Sequence, residues 1–296
     1  MPDDLSAYHA LRSILETPIL DEHKWAKVPK LTADAFLLDM EDSVPPGAKL
    51  AARERVVEFI GRPEYFAGRP AIARPNALGT PWGHDDLSAL ARARPRVIAY
   101  PKLRSADELR GALEVLRSGG QDEYQPDVLV IVETARAVLE LEQIAALPAV
   151  AGLMFGPSDL ALDAGFEVYD GPGLHSAAYH YPKVKLILTA AACAVPAFDM
   201  VMVPDVRDSD QVQAQLRESR RLGFTGAATF YPPHLEAIHA TFSPGQAEVA
   251  QAREVVAAYE DALTRGAAAL ADDGRTLIVQ DYERSRRVLR RAGESS

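Results

Sequence analysis

Ile131-Val-Glu-Thr-Ala-Arg136, running on to Phe155-Gly-Pro-Ser-Asp-Leu160, reads as strand, turn, helix, loop, strand, turn. Residues 128–132 are a continuous apolar, β-branched run, the pattern of a strand buried on both faces. Glu133 stands at its carboxyl end. Thr134 is placed to cap a helix in which Val138, Leu141 and Ile144 recur at helical spacing, and Pro148 closes it. Residues 151–155 make a second short apolar strand, with Asp159 just past its carboxyl end. If the two strands are parallel neighbours, both carboxylates stand at one edge of the sheet. Two hard oxygen ligands with water between them suit Mg²⁺. Both residues can equally be simple helix caps, and spacing does not choose between these readings.

The same alternation runs along the chain in both directions. Strands are expected at residues 12–15, 34–39, 71–74, 96–100, 198–203 and 226–231, and helices at 22–30, 49–60, 185–194 and 208–222. Further helices open at Asp85-Asp86 and after the capping box Ser105-x-x-Glu108. Residues 1–11 read as a loose lead-in, and 163–182, with Gly165, Gly171, Pro172 and Gly173, as a long loop of the kind that carries function. Eight strand-then-helix units predict an α/β fold: a closed (β/α)8 TIM barrel over residues 1–240, with a helical extension over 241–296 whose helices span 246–267 and 281–292. An open doubly wound sheet is the alternative, but no G-x-G-x-x-G follows the first strand.

A formal charge of -10 speaks against nucleic acid as a partner. The basic run Arg284, Arg286, Arg287, Arg290 and Arg291 reads as a solvated helix face. One cysteine, Cys193, excludes a disulfide framework and fits a small apolar residue in a reducing cytoplasm. No apolar run is long enough to span a bilayer, and the N-terminus lacks a basic flank followed by an apolar stretch, so no membrane is expected.

Barrel enzymes work at the carboxyl ends of their strands. There this chain collects Asp39, Glu41, Asp42, Arg74, Asn76, Lys102, Glu133, Asp159 and Asp205. A cation on Glu133 and Asp159 would chelate a short 2-oxo or hydroxy acid and stabilise the enolate left when a C–C bond breaks. Arg74 can grip a carboxylate or enolate oxygen with its planar fork, or be an ion pair to Asp39 or Glu41. Lys102 can form a Schiff base, or organise the carboxylates after strand two; the nearby ligand-like carboxylates favour the second. The Gly156-Pro157-Ser158 turn offers backbone N–H groups at a helix start to an acidic substrate.

These residues carry a resemblance. The chain resembles the HpcH/HpaI aldolase and citrate lyase β-subunit family, in its branch of acyl-CoA C–C lyases. Matching stretches include L-L-D-M-E-D-S-V-P-P (37–46) with Lys49, A-R-P-N-A-L-G-T-P-W-G (73–83), P-K-L-R-S-A-D-E-L (101–109), V-E-T-A-R-A-V-L (132–139) and F-G-P-S-D-L-A-L-D-A-G (155–165). The likeness implies a homotrimer or homohexamer, Mg²⁺ on Glu133 and Asp159, and Arg74 on the substrate carbonyl. It implies citryl-, citramalyl- or malyl-CoA-like substrates and a C-terminal extension that packs on a neighbouring subunit. Two departures stand out. The family's Ile-His-Pro-x-Gln is Thr229-Phe-Tyr-Pro-Pro-His234 here, with Tyr231 for the His and His234 for the Gln, which leaves the CoA partner open. The family's C-terminal acid/base Asp falls on Ile278 in Gly274-Arg-Thr-Leu-Ile-Val279, so Asp281, the 39–42 turn (Asp42 above all) and Tyr231 become candidates.

The expectation is a Mg²⁺-dependent C–C lyase or aldolase acting on a small acidic 3-hydroxy acid or its CoA thioester. Its catalytic residues are expected to be Arg74, Asp42 and Lys102, and its substrate contacts Arg74, Asn76, Gly156, Pro157 and Ser158. A thioester hydrolase on the same scaffold, a CoA-independent 2-oxo acid aldolase and a non-catalytic binding barrel are the competing readings.

Overall fold

The computed structural model describes residues 6–119, 124–171, 173–265, 270–272 and 275–294. They fall into two compact units, Met1–Ile238 and His239–Ser296.

The first unit is built on eight parallel strands: β1 (Ser13–Thr17), β2 (Ala35–Asp39), β3 (Ala71–Arg74), β4 (Val97–Tyr100), β5 (Asp127–Val132), β6 (Val150–Phe155), β7 (Ala197–Met200) and β8 (Gly226–Thr229). Each pairs with the next, and β8 returns to β1 with Ser13 beside Ala227, so the sheet closes and no edge is left open. One buried cluster takes Ile14 from β1, Ala35 and Leu37 from β2, Ile72 from β3, and Val97 and Ala99 from β4. Leu129, Ile131, Ala151, Met154, Phe198 and Ala228 complete it from the other four strands. Because side chains alternate between faces, this cluster fills the barrel interior, and Leu15, Phe36, Leu38 and Val130 are buried outside it beneath the helices.

Counting on from the inward residues gives the layout of the mouth. Two residues past Ile14, Leu37, Ile72 and Ile131 come Glu16, Asp39, Arg74 and Glu133. On these four strands the inward-facing charges thus stand at the carboxyl ends. At the opposite end Tyr8 and Leu11, expected in a loose lead-in, are buried in the interior cluster, and Tyr8 donates to Asp127 Oδ2 at 2.6 Å.

Several elements differ from the sequence reading. β1 runs on to Thr17. Pro29 breaks the helix expected over 22–30 into Glu22–Trp25 and a single tight turn, Val28–Lys30. The helix after β5 is interrupted at Glu140, giving Ala135–Leu139 and Leu141–Ala145. The 163–182 stretch holds a short hairpin, Tyr169–Gly171 with Leu174–His175, and its following helix starts at His180, five residues before the expected Lys185. A helix over His234–Phe242 had no counterpart in the sequence reading. β7 is stapled by a buried ion pair in which Lys183 Nζ donates to Asp199 Oδ2 at 2.8 Å.

In the second unit the helices Gln246–Thr264 and Val279–Arg291 pack together, with Tyr259 and Tyr282 stacked at 4.9 Å. Of the second helix only Leu289 is buried, so its arginines line a solvated face. Gly274 lies outside the described residues.

Candidate active site

β2 and β3 are in register at Asp39 and Arg74, so two inward residues of opposite charge stand side by side. Arg74 Nε donates to Asp39 Oδ1 at 2.6 Å, and Nη1 meets Glu16 Oε1 at 2.5 Å. Glu41 lies 3.8 Å from Nε. Nη2 makes no hydrogen bond to the described residues. Burial pushes the Asp39 carboxyl up, but Arg74, the Ser43 hydroxyl and the Glu41 N–H outweigh it and hold it at about 2. Arg74 is therefore ion-paired, and the pairs fix its fork at the mouth.

Beyond β2 the chain turns tightly on Asp39, which accepts from Glu41 N at 2.8 Å and Ser43 N at 2.9 Å. The buried Lys49 braces the same turn through Met40 O (3.0 Å) and Glu41 O (2.7 Å), and reaches Asn76 Oδ1 at 2.8 Å. Asn76 was expected to meet substrate. The structure places it in this brace, 2% exposed, with its amide donating to Met40 O and Asp86 Oδ2.

β5 and β6 are neighbours, and the pairing of Val132 with Phe155 sets Glu133 beside Gly156. A Cβ on Gly156 would stand 2.6 Å from Glu133 Oε2, so only glycine leaves that carboxylate its place. Glu133 caps no helix. Thr134 does, accepting from Ala137 N at 3.0 Å, while Glu133 Oε1 takes the N–H of Lys102 at 2.7 Å. That bond is made possible by a left-handed Lys102 backbone, φ 50°. The Lys102 ammonium reaches Glu41 (2.6 Å) and Asp42 (2.7 Å), with Asp159 at 3.7 Å. Burial opposes its charge, but Asp42 and Glu41 raise its pKa above the ordinary lysine value. A lysine held this firmly as a cation is a poor Schiff-base nucleophile.

The turn after β6 is only partly open to a ligand. Gly156 N is spent on Val132 O (3.0 Å), and Pro157 is buried with its carbonyl accepting from Tyr179. Ser158 and Asp159, in the first turn of the helix Pro157–Ala164, supply the N–H groups of the helix start. Asp205 is exposed and paired with Arg207. His234 is buried, taking Thr229 Oγ1 at 2.9 Å on Nδ1 and Val206 O at 2.7 Å on Nε2, so it ties the loop after β7 to the end of β8. Asp281 lies in the second unit, where it accepts from Ile278 N at 3.3 Å at a helix start.

Glu133, Asp159, Lys102, Thr134, Arg104, Leu162 and Asp163 line a pocket of about 180 Å³. Burial pushes Glu133 up to about 8, against the Lys102 N–H, and the neighbouring Glu41 and Asp159 charges add to the rise. Two close carboxylates, one of them buried and short of positive charge, are a setting that a hard divalent cation would relieve. Among the described residues no group of three or more His, Cys, Asp or Glu is arranged to hold a metal. The fit is therefore to an ion such as Mg²⁺ that takes two carboxylates and keeps water or substrate on its other positions. Glu16 is the mouth residue that sequence reasoning missed; its signal was the alternation through Ile14, had the first strand been extended.

Residues 16–232 match the family model described as HpcH/HpaI aldolase/citrate lyase. The chain is 29% identical to a (3S)-malyl-CoA thioesterase of Cereibacter sphaeroides, over 96% of this chain and 95% of the relative. It is 31% identical to a citrate lyase subunit beta-like protein of Deinococcus radiodurans, over 94% and 96%. It is similar to the CitE protein of Mycobacterium tuberculosis in complex with magnesium, acetoacetate and coenzyme A, with a TM-score of 0.81, 27% identity, and coverage of 97% of this chain and 100% of that one. Among the described residues no helix is long and apolar enough to cross a membrane.

Proposed function

The chain belongs to the HpcH/HpaI aldolase/citrate lyase family, and from that premise we propose that it is a Mg²⁺-dependent lyase cleaving a C–C bond in a small 3-hydroxy acid carried as its CoA thioester. The observation that supports this most is the register of β5 on β6, which sets Glu133 beside the turn that carries Asp159, linked through Lys102 and Glu41 to Arg74. The catalytic domain in this reading is residues 1–240. Residues 241–296 are an extension that packs on a neighbouring subunit of a homotrimer or homohexamer.

A divalent cation on Glu133 and Asp159 would supply a Lewis acid to the substrate carbonyl oxygen. The chain's own groups do the rest. Arg74 Nη2, held in place by Asp39 and Glu16, meets the negative charge that grows on the enolate oxygen. The Ser158 and Asp159 N–H groups take a carboxylate oxygen. Asp42, half-exposed beside Lys102, accepts the proton of the β-hydroxyl as the C–C bond breaks. Lys102 stays charged and holds Glu41 and Asp42 in position.

Hydrolysis of the thioester is the second reading, favoured by the malyl-CoA thioesterase relative. One assay separates them. Incubation with (3S)-malyl-CoA and Mg²⁺ gives a 2-oxo acid and an acyl-CoA with no free thiol if the chain is a lyase. It gives free CoA thiol, titratable with a disulfide reagent, and no oxo acid if it is a hydrolase. Thiol release matching substrate loss from the first turnover removes the lyase reading.

A further inference from the structure

The carboxylates of the mouth differ in what holds them. Asp39 is 1% exposed and spends its oxygens on Arg74, Ser43 and the Glu41 N–H, so it stays charged. Glu41 and Asp42 both lie within 2.7 Å of the Lys102 ammonium. Glu16 has no lysine. It faces inward at the end of β1, in register with Leu37 of β2, and its side chain is 19% exposed. Its one partner among the described residues is Arg74, whose Nη1 is 2.5 Å from Oε1. Oε2 makes no hydrogen bond to them. The other charged groups that act on it are Asp39 on β2 and Asp42 in the turn after it, both negative. Burial and these two charges raise its pKa against the pull of Arg74.

The proposed cleavage needs a second proton. The β-hydroxyl proton goes to Asp42 and the C–C electron pair moves into the enolate. The enolate carbon must then gain a proton to become the product acyl group. Arg74 presents Nη2 to the enolate oxygen and Nη1 to Glu16, two nitrogens on one guanidinium carbon. The enolate and Glu16 therefore lie side by side on a cation already paired with Asp39. Three anions on one cation leave excess negative charge, so the growing enolate drives Glu16 to take up a proton from the open mouth. We infer that Glu16 is a further catalytic residue, and that it hands this proton to the enolate carbon. The enolate C=C pair forms the new C–H bond and the carbonyl is restored. The negative charge passes to the Glu16 carboxylate and stays on the same guanidinium. Solvent then takes the proton from Asp42. The inference rests on the lyase reading, and it gives chemistry to a residue that otherwise only braces Arg74.

Run backward, this step takes a proton off the product's α-carbon and needs no 3-hydroxy acid. The test incubates the full chain with acetyl-CoA in D₂O, with Mg²⁺ saturating at every pH, and reads deuterium in the acetyl group by mass spectrometry. Wild type should exchange, at a rate that climbs with pH through the Glu16 pKa and then levels off. Glu16→Gln still offers Arg74 Nη1 an oxygen. It should bind acetyl-CoA within about threefold of wild type yet exchange at least about 10²-fold more slowly, with the pH limb gone. Glu16→Asp keeps the carboxylate on a shorter arm and should exchange faster than Glu16→Gln. Three results overturn the inference: exchange in Glu16→Gln within about threefold of wild type, a pH limb that persists in that variant, or no gain in Glu16→Asp. A wild type that cleaves (3S)-malyl-CoA to an oxo acid without exchanging acetyl-CoA overturns it alone. A wild type that does neither removes the lyase reading, and the inference with it.

Discussion

Arg74 gives Nε to Asp39 and Nη1 to Glu16, so Nη2, the donor proposed to meet substrate, is aimed before anything binds. Lysine cannot hold two carboxylates and still present a third N–H in that plane. Arg74→Lys should therefore keep the fold and lose about 10²–10³ in kcat, the usual cost of a missing oxyanion donor. Turnover near the wild-type level would leave Arg74 as an ion pair alone. Glu133 gives a prediction in pH. Its carboxyl sits near 8 in the metal-free protein, against 4.5 in an unfolded chain. The neutral form therefore favours the folded state in full below about 4.5, and that contribution is gone once the pH has passed about 8. In the proposed site Mg²⁺ would have to displace this proton. Its affinity should climb between pH 6 and 8, by about tenfold per unit, and then level off, with about one proton released per ion. Calorimetry in buffers of different ionisation enthalpy reads that proton directly. A flat affinity across this range would mean that Glu133 is not a ligand, as would unchanged Mg²⁺ binding in Glu133→Gln.

At the level of elements, the junction of β6 with its helix is the tightest constraint. Gly156→Ala drives a methyl to 2.5 Å from Glu133 Cβ and 2.6 Å from Oε2. The strand ends must part, at about 1–3 kcal/mol of stability, and Mg²⁺ affinity should fall with it; a normal melting temperature with normal Mg²⁺ binding would show that the junction yields. Much of this architecture was legible in the sequence, because strands buried on both faces are apolar throughout and their ends are marked by charge. Glu133, Asp159, Arg74 and Lys102 were found that way, each at the end of an apolar run. What escaped was set by partners far along the chain. Glu16 looks like the first charge after a finished strand, and its pairing with Leu37 of β2 is what keeps it in β1, where it meets Arg74. Asn76 follows Arg74 by two residues and reads as another mouth residue, yet Lys49, Met40 and Asp86 claim all of its amide. The break at Glu140 leaves helical spacing intact on either side and gives no sequence signal at all.

Across the barrel as a whole, one end opens on the charged mouth and the other is closed by Tyr8 and Leu11. Tyr8→Ala removes a buried ring from the sealed end and should cost about 3–5 kcal/mol, with kcat/KM at the working temperature unchanged wherever the variant stays folded. A selective loss of activity without loss of stability would contradict this division of labour. The closure of β8 onto β1 has a further consequence, felt while the chain is being made. Ser13 leaves the ribosome early, yet its partner Ala227 is among the later residues. At ~5–20 residues per second, β1 waits roughly 10–40 seconds with β2 on one side and water or other nascent chains on the other. A bare apolar edge is a template for association between chains. Within Ser13–Thr17 the one charge is Glu16. The carboxylate that later fixes Arg74 in the finished mouth thus also guards the waiting edge during translation. A chain carrying Glu16→Leu should accumulate as aggregate during synthesis, beyond anything its equilibrium stability would account for.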